Sequence, residues 1–137
     1  MIIDATDLIL GRMAAFVAKK ALLGEKIDIV NCEKAVISGS KRDVLAKYKQ
    51  RRERRTINGP FFPKTSDRLV RRTVRGMLPY KQKKGGDAFK RVMCYIGIPA
   101  SLSKEKIETI KTANSSKLPV LKYISIGEIS KQIGAKR

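Results

Sequence analysis

The chain has 137 residues, of which 31 are Lys or Arg and only 12 Asp or Glu, so it carries a net charge of +19 and an isoelectric point near 10.3. A hydrophobic content of 42% is enough for a real core and excludes a wholly disordered basic tail. There is no histidine, and Cys32 and Cys94 lie far apart in apolar contexts outside any C-x-x-C, which argues against a zinc site and a disulfide and for reduced core thiols.

The length suits one domain, residues 1–137, in which charge is unevenly placed. Met1–Ser40 holds five basic and five acidic residues, whereas Lys41–Arg91 holds 18 basic and 4 acidic. A neutral first part thus supports a basic extension over about 47–91, with appended elements over 100–137. A concentrated positive field of this kind suits a polyanion, nucleic acid before an anionic membrane. No secretory signal is expected, because Asp4 and Asp7 interrupt the N-terminus. Leu8–Leu23, the longest apolar segment, is broken by Arg12, Lys19 and Lys20 and predicts an amphipathic helix, not a membrane span.

In chain order, Met1–Ala5 predicts a short strand. Leu10, Met13, Ala14, Val17, Ala18, Ala21 and Leu22 then follow helical spacing, with Asp7 as cap and Gly24 closing the helix in a left-handed conformation. Lys26–Asn31 predicts a second strand, parallel to the first through a βαβ crossover. Ala35–Ser38 is a third apolar run, too close behind the second for a parallel crossover, so it either bends away or pairs differently. Ser40–Asp43 has capping-box spacing and opens a helix whose apolar side is Val44, Leu45 and Tyr48. That helix leaves the core as K-Y-K-Q-R-R-E-R-R, where Lys49, Arg51, Arg52, Arg54 and Arg55 surround the axis.

Asn58-Gly59-Pro60 predicts a turn. For Phe61 and Phe62 beyond it, burial against the chain's own helices is expected over stacking on bases. Lys64 follows, and then the stretch Thr65–Pro79 predicts a two-faced helix. Arg68, Arg71, Arg72 and Arg75 form one stripe, with Leu69, Val70, Thr73, Val74 and Met77 opposite, Ser66 as N-cap and Pro79 as stop. Four like charges in a row repel unless something negative covers them. Tyr80–Asp87, with Lys81, Lys83 and Lys84, reads as a flexible basic loop, and Val92–Gly97 as a buried strand. Beyond Pro99, a short helix is expected over Ser103–Lys111 with Ile107 and Ile110 inward, a strand over Val120–Ile124, and a capped helix from Ser125 to Ile133. The whole predicts an α/β fold with a small, mainly parallel sheet flanked by helices.

No nucleophile, acid–base pair or metal set in this chain suggests an enzyme. Gly39-Ser40-Lys41 resembles the end of a phosphate-binding loop, but Lys34 stands where the pattern needs glycine. Asp4, at the end of the first strand, could hold magnesium, although a lone aspartate more often binds nearby backbone amides. No cofactor is expected.

The order and spacing of four motifs carry a resemblance. D-A-T-D-L-I-L-G-R-M-A-A-F-V-A-K (Asp4–Lys19), V-N-C-E-K-A-V-I-S-G (Val30–Gly39), R-R-T-V-R-G-M-L-P (Arg71–Pro79) and V-M-C-Y-I-G (Val92–Gly97) resemble the universal large-subunit ribosomal protein family thirteen, and the tail resembles its archaeal and eukaryotic branch. Cys32 and Cys94 depart from the small residues expected there, outside the basic region. The resemblance implies a cytoplasmic ribosomal protein that binds large-subunit RNA beside neighbouring large-subunit proteins, with no catalytic activity, no membrane and no small-molecule substrate. It also implies that Arg71, Arg72 and Arg75, together with Arg12 after Gly11, contact RNA; by their place in the basic region, Lys49, Arg51, Arg52, Arg54, Arg55, Lys64, Arg68, Lys81, Lys83 and Lys84 are the further expected RNA contacts. A free-standing nucleic-acid-binding protein and a phosphate enzyme using Asp4 and Gly39–Lys41 are the competing readings.

Overall fold

A computed structural model describes residues 1–54 and 57–135, so Arg55, one of the expected RNA contacts, lies outside the described residues. Strands β1 (Ile2–Asp4) and β2 (Ile27–Val30) pair in parallel with Ile3 opposite Ile29, and helix α1 (Leu10–Leu22) connects them. This is the βαβ unit read from the sequence. α1 forms where the apolar period is cleanest, and Leu10, Met13, Ala14, Val17, Ala18 and Ala21 are all buried. Gly24, at φ 103°, ends it by donating its N–H to the Ala21 carbonyl at 3.1 Å.

The start of α1 differs from expectation. Ile9 stands at the N-cap position without a side-chain hydrogen bond, and Asp7 does not cap the helix. Asp7 instead adopts a left-handed conformation, φ 55°, and its carbonyl accepts the Ser115 N–H at 2.8 Å. Leu8 and Ile9 are held by bridges to Asn114 and Val36, so the chain stays extended past Asp7 before it can coil.

The main sheet has the order β4-β2-β1-β5 and is parallel throughout, with β4 (Val92–Cys94) beside β2 and β5 (Ile107–Glu108) beside β1. β5 replaces the helix expected over Ser103–Lys111. Ile107 faces Ile2 in the ladder and Ile110 is buried. The open edge of β1 needs backbone partners, and a short β-branched segment supplies them. The third apolar run pairs differently: β3 (Val36–Ser38) lies antiparallel to β6 (Tyr123–Ser125) in a separate two-stranded sheet, redirected by a 3-10 turn at Cys32–Lys34. β6 sits later than expected, leaving Val120 and Leu121 exposed. The segment after Pro99 thus completes both sheets.

Three helices carry the basic region: α2 (Lys41–Glu53), α3 (Ser66–Gly76) and α4 (Lys83–Lys90). α3 packs on α1 and β4, and α4 packs on α1. Helix α5 (Ile126–Gln132) begins with the Ser125 Oγ accepting the Glu128 N–H at 3.2 Å, as its spacing predicts, whereas Ser40 opens α2 without such a bond. The mainly parallel sheet flanked by helices is the fold class expected. Cys32 and Cys94 are free and buried. Among the described residues, no helix is long and apolar enough to cross a membrane.

Candidate nucleic-acid interface

α3 divides as its period predicts. Leu69, Val70 and Val74 enter the core, while Arg68 and Arg72 are exposed and Arg71 and Arg75 half-buried. Two details differ. Thr65 is the N-cap, with Ser66 the first helical residue, and neither Thr65 nor Ser66 caps through its side chain as Ser66 was expected to. The helix ends at Gly76, so Met77 falls outside the stripe and is 43% exposed, and Leu78 is buried in its stead.

The arginines do not project freely. Arg72 lies over the Phe62 ring at 4.5 Å, Arg71 over Phe89 at 4.6 Å, Arg75 over Tyr80 at 5.1 Å, and Arg51 of α2 over Tyr48 and Phe62 at 5.4 and 5.9 Å. Each contact restrains a flexible cation against a ring, at about 0.5–1 kcal/mol when exposed. The rings are anchored in turn. Tyr48 is buried and meets Phe62 edge-on, with centroids 6.0 Å apart at 72°. Burial pushes the Tyr48 hydroxyl up, and the neighbouring Arg51 only partly opposes this. Of the phenylalanine pair, Phe62 is half-buried as expected and takes the place against Tyr48, but Phe61 is 59% exposed.

α4 replaces the flexible loop expected over Tyr80–Asp87. Gly85 permits it: a Cβ there would overlap the Pro79 carbonyl group and lie 2.9 Å from the Tyr80 nitrogen. The helix therefore seats directly on the preceding backbone and brings Phe89 under Arg71. The sequence shows two glycines and reads as loop; only the tertiary contact makes them helical.

Between these elements lies an open cleft of about 590 Å³ lined by Arg51, Arg54, Arg68, Arg71, Arg72 and Arg75, with Phe61, Phe62, Phe89, Pro60 and Pro63. Among the described residues, no carboxylate lines it. A second hollow of about 530 Å³ shares Arg51, Arg54, Phe62 and Arg72 with the first. The four ion pairs among the described residues are all made by lysines, so no described carboxylate forms an ion pair with a guanidinium of the cleft. The Arg71 Nε is buried without an acceptor, as is the Asp67 Oδ1 without a donor.

The remaining expected contacts are not gathered into this cleft. Lys64 and Arg52 line a smaller adjoining hollow with Phe61 and Phe62, and Arg52 also donates through Nη1 to the Ile133 carbonyl at 2.7 Å, tying α2 to the end of α5. Arg12, Lys49, Lys81, Lys83 and Lys84 are exposed elsewhere on the surface. Reasoning from charge missed Phe62, Tyr80 and Phe89 as supports of the arginines. The available signal was the aromatic residues flanking the arginine stretch on both sides.

The features of a phosphate enzyme are engaged in folding. The Asp4 Oδ1 accepts the Thr6 hydroxyl at 2.7 Å, the Thr6 N–H at 2.9 Å and the Asn31 amide at 3.0 Å. Burial works to raise this carboxyl, but these hydrogen bonds and nearby Lys34 outweigh it and hold it below the ordinary carboxylate value. Lys41 pairs with Glu128 at 3.4 Å instead of reaching toward Gly39.

A sequence model of the ribosomal protein L13 family matches residues 1–101. The chain belongs to the ribosomal protein L13 family. Relatives named large ribosomal subunit protein uL13 extend the match past residue 101. The protein from Methanosarcina barkeri is 50% identical over 98% of both chains, and that from Methanocaldococcus jannaschii 46% over 98% of both. The Natronomonas pharaonis protein is 44% identical over 98% of this chain and 91% of its own. The family is one of structural ribosomal proteins and is not known for enzymatic activity.

Proposed function

We propose that this chain is a structural constituent of the large ribosomal subunit in the cytoplasm, and that it clamps large-subunit RNA with the face formed by α2, α3 and α4. The convergence of six guanidinium groups on one cleft, with no lining carboxylate among the described residues, is the observation that carries this reading. Like charges held together lose stability unless an anion joins them. The α/β body, residues 1–137 as one domain, serves as a rigid platform for the basic face. Arginines of the cleft present forked donors to phosphate oxygens, Lys64 adds a point charge in the adjoining hollow, and Arg12, Lys49, Lys81, Lys83 and Lys84 meet RNA phosphates elsewhere on the surface. Recognition rests on RNA shape and phosphate positions. Neighbouring large-subunit proteins are the second class of partner, as the names of the relatives imply.

Salt dependence tests the clamp. With about eight phosphates neutralised, log affinity for large-subunit RNA falls with log salt at a slope of roughly −7, by analogy with duplex DNA. A slope near −2 would show instead a solvated charge excess with little part in binding.

A further inference from the structure

The cleft is built for more than charge. A clamp on duplex phosphates needs only mobile cations, yet here Arg72 is stacked over Phe62 and Arg71 over Phe89. Phe62 and Arg72 line both the 590 Å³ cleft and the 530 Å³ hollow. Each space falls in the size range of sites that enclose a small organic ligand. At the rim of the first, Phe61 presents a ring that is 59% exposed. Planar guanidinium and aromatic faces, fixed in advance and surrounded by positive charge, match a nucleobase joined to phosphates.

Resting on the RNA-clamp reading above, we infer that the larger cleft takes one unpaired nucleotide extruded from an RNA helix. Its base stacks against the Arg72–Phe62 pair and Phe61, while Arg51 and Arg54, which border both spaces, hold the flanking phosphates. A fully paired duplex buries its bases and offers no planar face to this wall. The preference is therefore for a bulge, a loop or a strand end. No base identity is required, since every base has a stacking face.

The test uses the full chain and three RNA hairpins of equal length: fully paired, with a single bulged 2-aminopurine, and with an abasic residue at the same bulge. The abasic hairpin keeps the bend and every phosphate but lacks the base. The bulged hairpin is expected to bind more tightly than the abasic one by roughly 5- to 150-fold, the equivalent of one base–aromatic stack, with quenching of 2-aminopurine fluorescence. Phe61→Leu and Arg72→Lys should collapse that ratio toward one. Lys81→Ala with Lys83→Ala should lower affinity for all three hairpins and keep the ratio. Equal binding of bulged and abasic hairpins, each with a steep salt slope, overturns the nucleotide pocket and leaves the clamp standing. Failure of all three to bind in a salt-dependent way overturns the clamp itself. A ratio that survives both Phe61→Leu and Arg72→Lys shows that the base is held elsewhere.

Discussion

Replacing Arg68 and Arg72 by alanine separates the two faces of α3. Both side chains are exposed, and neither belongs to the buried set of Leu69, Val70 and Val74. Arg72 gives up its contact with Phe62 at 4.5 Å, worth about 0.5–1 kcal/mol at an exposed site. The double variant should therefore fold, with a melting temperature lower by only about 4 °C. RNA affinity should fall much further. Two charge-assisted contacts at roughly 1.5–3 kcal/mol each amount to about 3–6 kcal/mol, and the salt slope should become shallower by about two. Val74→Asp is the converse. Val74 is fully buried where α3 packs on the body, so an unpaired carboxylate there should remove on the order of 4 kcal/mol of stability. Thermal melts and filter binding at two salt concentrations read both quantities. The reasoning is refuted if the arginine double variant melts as low as Val74→Asp, or if it retains the parent affinity and slope.

Three further outcomes follow from particular contacts. Gly85→Ala should destabilise by about 1–3 kcal/mol because its Cβ meets the Pro79 carbonyl, while Gly86→Ala, whose nearest neighbour is the Tyr80 oxygen at 3.7 Å, should be neutral or stabilise by up to about 1 kcal/mol; paired urea titrations give the contrast. Because the Asp4 carboxyl is depressed in the folded state, its contribution is present above the unfolded value near pH 4 and is lost as pH falls through the folded value. The stability gap between the parent and Asp4→Asn, about 1 kcal/mol or more at pH 7, should close below about pH 4, and a gap constant with pH would contradict this. Cys94 is pushed well up by the neighbouring Cys32 thiol and by burial, and Cys32 is fully buried. Both thiols should resist alkylation in the native chain at pH 8 and react promptly in denaturant.

What the sequence made legible was local and periodic. α1 and the two faces of α3 stand out because each repeats an apolar residue at helical spacing, and burial follows that spacing. β2 was visible as a short β-branched run and β4 as part of the apolar run Val92–Gly97. β5 was not, because Ile107 and Ile110 fit a helical period as well as an edge strand, and the unpaired edge of β1 decides between them. α4 was hidden for the opposite reason. Gly85 and Gly86 argue for a loop until the Pro79 backbone is placed against them. Asp7 has the chemistry of a cap, but the bridges at Leu8 and Ile9 carry the helix start beyond its reach. At the arginine cleft the charges were plain, whereas the support of Arg71, Arg72 and Arg75 by rings at positions 89, 62 and 80 depends on chain segments that meet only after folding.

The most direct test of the RNA clamp is ultraviolet cross-linking within intact large ribosomal subunits, followed by mass mapping of the protein peptides that retain a nucleotide. Cross-links should concentrate on peptides spanning Arg51 to Arg75, with Phe61 and Phe62 among the modified residues. Cross-links confined to residues 104–122, with none on α2 or α3, would contradict the account.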